Sequence, residues 1–369
     1  MIYSEYGKTG KMVSAVGFGG MRFDMEKSLE ENAELVRYAF EKGINYFDTA
    51  PGYHEGKSEE IYGIAFKEMP RDKFFVTDKL MPTSINKADE AYDTVNRMID
   101  KMGVGYIDFF HVWCLRKMEH YEMAVEPGAL YEGLQRCKDE GLIKHIVFSS
   151  HQQGDEVKKV IKTGKFDGVL LGVNILNYPY RWSGVKYAHK HGLGVAAMNP
   201  LAGGLIPKNE DRLDFLAKKG ETPTEAALRF LIASDKINVA LNGFTTREHV
   251  DFACKVADSA EPLSKKQMKK IEAKISKSSL KICTTCGYCD ICPKKIPIPK
   301  YMQIYNDKVL FDISKEEFNE RLKFHREWGL LAEDLPRAAE CIKCGKCEKV
   351  CTQHLPIIKR LKKFAKRDL

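Results

Sequence analysis

Short apolar runs rich in β-branched residues recur eight times in the first 280 positions, at 16–19, 44–47, 74–77, 107–112, 143–148, 168–173, 194–197 and 239–241. Runs of that length, bounded by turn residues, predict buried strands. The intervals between them carry helical spacing. Ser28 and Glu31 form a capping box ahead of Leu29, Ala33, Val36 and Phe40, and Gly43 stops that helix. Ala88, Ala91, Val95, Met98, Ile99 and Met102 make a second stripe ending at Gly103. Thr222, Pro223 and Glu225 open a later helix, and Ser264 with Gln267 opens the last one before a cysteine-rich tail. Eight strand–helix alternations predict an α/β fold of the (β/α)8 TIM-barrel type. A hairpin, 2–6 joined to 11–13 through 7–10, is expected to plug its bottom. A doubly wound sheet would need a G-x-G-x-x-G turn; 17–20 reads Gly-Phe-Gly-Gly, with no glycine at 22 and no helix start.

Eight of the 11 cysteines fall in two runs: Cys283, Cys286, Cys289 and Cys292, then Cys341, Cys344, Cys347 and Cys351. Two-residue gaps let neighbouring thiolates wrap one compact metal centre, while a more distant fourth cysteine ligates the other centre in two-cluster ferredoxins. Two runs of four predict two [4Fe-4S] clusters. Disulfides are disfavoured in a cytoplasmic chain. Paired Cys-x-x-Cys zinc sites are the stronger alternative, but three close cysteines plus a fourth, twice over, favour iron–sulfur. Thr352 stands where proline usually follows the second run, and the first run has two residues before its last cysteine where bacterial ferredoxins have three. Both runs are trailed by a Pro-Ile pair, Pro297-Ile298 and Pro356-Ile357, with helical patches such as 315–326 between them. This half resembles an α-helical ferredoxin module. The expected division is a barrel over 1–278 and a ferredoxin-like domain over 279–369. Cys137 and Cys254 read as small core residues.

Barrel chemistry gathers at the C-terminal ends of strands. Asp48 and then Tyr53 follow the second strand, Lys79 the third, His111 and Trp113 the fourth, Ser149 and Ser150 the fifth, and Met198 the seventh. The glycine-containing loops around Gly203 and Gly243 follow strands seven and eight, where barrels often bind phosphates. A tyrosine is a poor acid at neutral pH unless a cation lowers its pKa. Lys79 is expected to supply that cation and Asp48 to orient it, so that Tyr53 protonates a carbonyl oxygen as hydride arrives at carbon.

The stretch from Tyr46 through Asp48 and Tyr53 to Ser58-Glu59 resembles the aldo-keto reductase signature. Lys79, Tyr106-Ile107-Asp108 and Ile143-Lys144-His145-Ile146 fit the same pattern. Gly17 to Arg22 and Met198 to Gly204 resemble a branch of that family fused to a C-terminal ferredoxin-type domain with two [4Fe-4S] clusters. The resemblance implies an oxidoreductase that binds NADP(H) or NAD(H) at the barrel top and delivers hydride to a small aldehyde or ketone. It implies Tyr53 as general acid, with Lys79 and Asp48 in support. Cofactor contacts are implied at Gly20, Met21, Asp48, Ser149, Ser150, Met198, Pro200, Leu201, Gly203, Gly243, Phe244, Thr245, Arg247 and His249. The family's catalytic histidine matches Trp113 here; His111, two residues earlier, shares that strand face one layer deeper. The carboxamide-binding glutamine aligns near Leu170 and the 2′-phosphate arginine near His249, which leaves NADPH and NADH both open. A second reading follows from these departures: a ferredoxin-linked electron-transfer protein whose barrel performs non-hydride acid–base chemistry or binds a ligand.

Net charge is +8, and from residue 281 onward 19 basic residues face 12 acidic ones. Eight iron-bound thiolates would remove most of that excess, so no nucleic-acid partner is expected. The cations at Lys359, Arg360, Lys362, Lys363, Lys366 and Arg367 read as a solvated helix face, or as a dock for an acidic ferredoxin or flavodoxin. No apolar run approaches the ~20 residues of a membrane span, and the N-terminus shows no signal h-region. A cytoplasmic protein, oxygen-sensitive and suited to anaerobic conditions, is the expectation. Hydrophobic residues at 44% and charged residues at 30% are ordinary globular values.

Overall fold

A computed structural model describes residues 1–261, 264–277, 282–283, 288–332, 334–351 and 354–366. The chain divides into two compact units: Met1–Ile175, Arg181–Ala202 and Ala227–Leu263 form one; Leu176–Tyr180, Gly203–Ala226 and Ser264–Leu369 form the other.

The hairpin pairs β1 (Tyr3–Glu5) antiparallel to β2 (Met12–Ser14). Eight parallel strands then close a barrel: β3 (Val16–Gly19), β4 (Tyr46–Asp48), β5 (Phe75–Leu80), β6 (Ile107–Val112), β7 (Ile143–Ser150), β8 (Gly168–Gly172), β9 (Gly194–Met198) and β10 (Val239–Asn242), with β10 pairing β3. Each overlaps one of the eight apolar runs. Inward side chains Tyr46, Phe109, Val147, Leu170, Ala196, Val239 and Leu241 form a core with Tyr6 and Val13 from the hairpin. Tyr6 lies 4.6 Å from the Phe109 ring and 6.1 Å from that of Tyr46. Its ring leaves no room for a side chain at Gly194, where a Cβ would sit 2.2 Å from it. The plug and the first turn of β9 therefore fix each other.

Cap chemistry sets the helices between strands. Ser28 and Glu31 make the reciprocal box of the helix Leu29–Glu41. Gly103 adopts a left-handed conformation that ends Ala88–Met102. The Thr222 amide donates to Glu225 Oε2 at 2.8 Å and the Glu225 amide to Thr222 Oγ1 at 3.1 Å at the start of Pro223–Ile232. Among the described residues no helix is long and apolar enough to cross a membrane.

In the second unit, the segments that follow the two cysteine runs fold alike. The amide of Lys295 donates to Cys292 O at 2.9 Å, and that of His354 to Cys351 O at 3.0 Å. Lys295 and His354 both have positive φ, 53° and 48°. Pro297 and Pro356 then cap the helices Ile298–Phe311 and Ile357–Ala365. The repeated Pro-Ile pairs thus mark two copies of one turn-and-helix unit. Arg360 is not on a solvated face: it is 5% exposed, whereas Lys359, Lys362, Lys363 and Lys366 face water. Arg367 lies outside the described residues.

Candidate functional site

Register brings the candidate residues together. Asp48 ends β4 and pairs with Thr77 of β5, and Lys79, two residues on, pairs with His111 of β6. Side chains two apart on a strand share a face, so these groups all line the barrel interior near its C-terminal mouth. Lys79 Nζ lies 2.8 Å from both Asp48 carboxylate oxygens and 2.5 Å from Thr49 O. An ammonium has three protons to donate, and those three bonds use them all. Thr77 Oγ1 donates to Asp48 Oδ2 at 2.6 Å. Lys79 and Asp48 are 1% and 2% exposed, so the ion pair is buried and hydrogen-bonded throughout.

Tyr53 sits just past this pair, its ring centroid 5.2 Å from Lys79 Nζ. The turn carrying it is strained: His54, Glu55 and Gly56 have φ of 51°, 58° and 87°. Two consecutive non-glycine residues in the left-handed region persist only where the surroundings enforce them. Here Lys101 clamps the turn, donating to Gly56 O at 2.7 Å and to Glu59 Oε2 at 3.1 Å. The acidity of Tyr53 runs opposite to the sequence expectation. Burial first, then the Asp48 charge, pushes the phenol well above its ordinary pKa. Lys79 does not pull it down because Asp48 already compensates the cation at contact distance. The phenol is therefore protonated at neutral pH.

His111 is fully buried, with Nε2 4.0 Å from Asp48 Oδ2, and among the described residues neither ring nitrogen has a hydrogen-bond partner. Burial and the Lys79 charge push its pKa well below the usual value, so the ring is neutral. It stands level with Lys79 in the barrel register, two residues before Trp113. Trp113 is the residue that meets Tyr53, edge to face with ring centroids 5.9 Å apart. The loop after Trp113 is held by the two serines. Ser149 Oγ accepts from the Cys114 amide at 2.8 Å, and Ser150 Oγ donates to Leu115 O at 2.7 Å. Cys114 takes a positive φ of 61° within that loop. Sequence reasoning passed over Thr77, Lys101 and Asp78. Asp78 faces away from Lys79 on β5, and burial together with Glu59 raises its carboxyl well above the usual range. An alternating Thr-Asp-Lys triplet in a strand was the available signal.

The remaining candidates lie on neighbouring loops. Gly20 is buried against Ser58 and Tyr62, and Met21 is half exposed. Phe244 packs on Phe18 at 5.1 Å, and Gly243 lies so close to Arg22 that a Cβ would sit 2.5 Å from its side chain. Thr246 caps the helix Arg247–Asp258. Thr245 Oγ1 lies 3.0 Å from His249 Nδ1, Lys27 Nζ donates to Thr245 O at 3.1 Å, and the Arg247 guanidinium lies over Tyr38. Met198 ends β9, with Asn199 beyond it accepting from Asn174 Nδ2 at 3.1 Å; Pro200 is buried and Leu201 half-buried. Leu170 belongs to the barrel core. Gly203 falls in the second unit.

Within the second unit, Cys292, Cys341, Cys344 and Cys347 line one small open pocket, together with Pro293, Ile298, Ile358 and Leu361. Three cysteines of the second run thus meet the last cysteine of the first. Cys283, Cys289 and Cys351 are buried elsewhere in the unit; Cys286 lies outside the described residues. Asn306 fixes Cys283 by accepting from its amide and donating to its carbonyl, both at 2.8 Å, and Tyr180 O–H donates to the same carbonyl. The ten described cysteines form no disulfide, and among the described residues no three His, Cys, Asp or Glu side chains converge on a single ion.

Residues 15–276 match the family model described as the aldo/keto reductase family. L-galactose dehydrogenase of Arabidopsis thaliana is 24% identical over 283 residues, 66% of this chain and 84% of that protein. The NADH-specific methylglyoxal reductase of Escherichia coli is 25% identical over 215 residues, 52% and 63% of the two chains. A solved aldo-keto reductase of Bacillus halodurans, in its holo form, superposes with a TM-score of 0.62 at 22% identity, covering 74% of this chain and 96% of its own. With the family model spanning well over half its length, the chain belongs to the aldo/keto reductase family and is an oxidoreductase of that type.

Proposed function

We propose that the barrel reduces a small aldehyde or ketone with NADPH or NADH, Tyr53 giving the proton to the carbonyl oxygen. When bound, the reduced nicotinamide supplies a hydride. Asp48 holds Lys79 in place beside the Tyr53 ring, and the pair fixes the position from which the phenol gives its proton. Trp113 closes one side of the pocket against Tyr53, and its indole N–H has the chemistry to hydrogen-bond a substrate oxygen where relatives carry a histidine. The loop at Gly20 and Met21, the Gly243–Thr246 loop and the capped helix start beside Lys27, Arg247 and His249 fit a phosphate-bearing cofactor: backbone N–H groups and cations meet there. Ser149, Ser150, Met198, Pro200 and Leu201 complete the proposed cofactor contacts. Relatives named for L-galactose and methylglyoxal suggest a small carbonyl substrate. The single observation carrying this reading is the phenol, protonated and seated over a buried Lys–Asp pair.

The second part of the proposal concerns residues 279–369: two [4Fe-4S] clusters, one held by Cys341, Cys344, Cys347 and Cys292, the other by Cys283, Cys286, Cys289 and Cys351. Four cysteines lining one pocket without converging on a point suit a cubane better than zinc, since each iron takes one thiolate, while a lone ion needs its ligands to converge. The repeated turn-and-helix unit supports the same reading. Clusters of this kind carry single electrons, so a ferredoxin or flavodoxin is the proposed partner, in the cytoplasm.

Two experiments test these parts separately. Tyr53→Phe is expected to cut carbonyl-dependent NAD(P)H oxidation at least a hundredfold with cofactor affinity unchanged; wild-type turnover would remove Tyr53 from the mechanism. Anaerobically purified protein is expected to contain about eight iron and eight sulfide per chain; stoichiometric zinc would overturn the clusters. Intact clusters without any nicotinamide binding would instead favour an electron-transfer protein with a non-hydride barrel, a reading to which Trp113 at the histidine position lends weight.

A further inference from the structure

We propose that Lys101 is a positioning residue for Tyr53: its ammonium, reaching across from another helix, holds the turn that presents the phenol. The inference deepens the proposed carbonyl reduction and rests on it. Asp48 and Lys79 stand in barrel strands, where ladder register fixes them. Tyr53 does not. It lies past the end of β4, at the head of a turn that runs into the helix Lys57–Phe66. Local hydrogen bonds shape that turn: the Tyr53 amide donates to Ala50 O at 3.0 Å, and the Lys57 amide to the carbonyls of Tyr53 and His54. They leave it strained, because His54 and Glu55 both sit in the left-handed region that a Cβ disfavours. Such a turn keeps its shape only under restraint from its surroundings.

Lys101 supplies that restraint from the helix Ala88–Met102. Its Nζ donates to Gly56 O, the last carbonyl of the turn, at 2.7 Å, and to Glu59 Oε2, at the start of the next helix, at 3.1 Å. Glu60 adds a second carboxylate at 3.7 Å. The Glu59 side chain is buried, so the ammonium is held by a poorly solvated charge as well as by hydrogen bonds. The backbone beneath it is seated too. A Cβ on Gly63 would meet Lys101 O at 2.7 Å, so the two helices touch there with no side chain between them. That contact sets the point from which the lysine arm reaches out. A Cβ on Gly56 would lie 2.8 Å from Nζ. Lys101 thus joins the end of the turn to the start of the helix, and their relative placement seats the Tyr53 ring 5.2 Å from Lys79 Nζ. The Lys101 side chain is 32% exposed, so its removal is felt at the turn rather than in the core.

The test compares wild type, Lys101→Met, Lys101→Arg and Tyr53→Phe as full chains under anaerobic conditions, with methylglyoxal or glyceraldehyde as the carbonyl. Carbonyl-dependent NAD(P)H oxidation gives kcat and KM, and a fluorescence titration gives the nicotinamide Kd. Displacing a reacting group by about 1 Å costs about 10²-fold. Lys101→Met should therefore lower kcat by about tenfold to a hundredfold, with KM and Kd within about threefold of wild type. Lys101→Arg should recover most of that loss, because a guanidinium can still bridge Gly56 O and Glu59. Wild-type kcat in Lys101→Met beside an inactive Tyr53→Phe overturns the inference and leaves the reduction standing. A loss of cofactor affinity as large as the loss of kcat, or no recovery in Lys101→Arg, overturns it as well, since either marks a general loosening. Wild type without carbonyl-dependent oxidation, or Tyr53→Phe at full rate, removes the reduction and the inference with it. Should Lys101→Met fail to fold, Glu59→Gln decides, because it weakens the hold on the ammonium by removing its buried partner charge. Its kcat should fall at least threefold at unchanged Kd, and wild-type kcat there refutes the clamp.

Discussion

Replacing Lys79 with methionine keeps most of the apolar stem and removes the ammonium. Three hydrogen bonds vanish, two to Asp48 and one to Thr49 O. Asp48, 2% exposed, keeps only Thr77 Oγ1 at 2.6 Å, with neutral His111 4.0 Å away. Breaking a buried ion pair by deleting one partner costs about 3–5 kcal/mol, because the other charge stays behind without compensation. That is a large share of the ~5–15 kcal/mol a domain has in total. Asp48→Asn should cost a similar amount for the mirror reason, with Lys79 left charged and buried. The double variant Lys79→Met/Asp48→Asn removes both charges, so its loss should fall short of the sum by about 3 kcal/mol. Anaerobic urea titrations of the four proteins at pH 7, followed by tryptophan fluorescence, give the cycle. A single-variant loss below about 1 kcal/mol, or additivity within about 0.5 kcal/mol, would refute the argument that this pair is a buried, mutually dependent unit.

Acid should destabilise the protein through its buried imidazoles. Burial, Arg181 and Arg116 push His151 down to about 3, and His111 is also held neutral. The unfolded chain takes up these protons near pH 6.5 and the folded one does not, so their contribution is full above about 6.5 and is lost progressively toward pH 3. A His151→Phe variant should flatten that slope; an unchanged slope would refute the assignment. Gly20→Ala would put a Cβ 2.2 Å from Ser58 Oγ and 2.8 Å from the Tyr62 ring. Ser58 is itself tied to Thr49, so the expected cost is about 1–3 kcal/mol, together with at least tenfold weaker nicotinamide binding in a fluorescence titration; an undisturbed loop with wild-type affinity would contradict the packing.

Local chemistry was readable from the chain. The apolar runs placed all eight barrel strands, and the boxes at Ser28 and Thr222 opened their helices as expected, because strand periodicity and caps depend on neighbours a few residues away. The gathering of Asp48, Lys79 and His111 at the strand ends followed from strand geometry. Quantities set by long-range burial were not readable. The pKa of Tyr53 moves up chiefly through burial, with the Asp48 charge adding to it, and no spacing rule reports desolvation. Ser149 and Ser150 spend their hydroxyls on a loop 35 residues earlier in the chain. Arg360 reads as one more cation in a basic stretch until the helix is packed. The grouping of Leu176–Tyr180 and Gly203–Ala226 with the C-terminal half likewise depends on contacts distant in sequence.

The central claim, that this barrel delivers hydride beside Tyr53, is tested most directly by label transfer. Nicotinamide deuterated at C4 is incubated anaerobically with the full chain and a small aldehyde such as methylglyoxal, and the alcohol product is examined by mass spectrometry. The account predicts deuterium on the former carbonyl carbon, with the transfer suppressed in Tyr53→Phe. Alcohol formed with solvent hydrogen at that carbon, or no transfer under saturating cofactor, would contradict it.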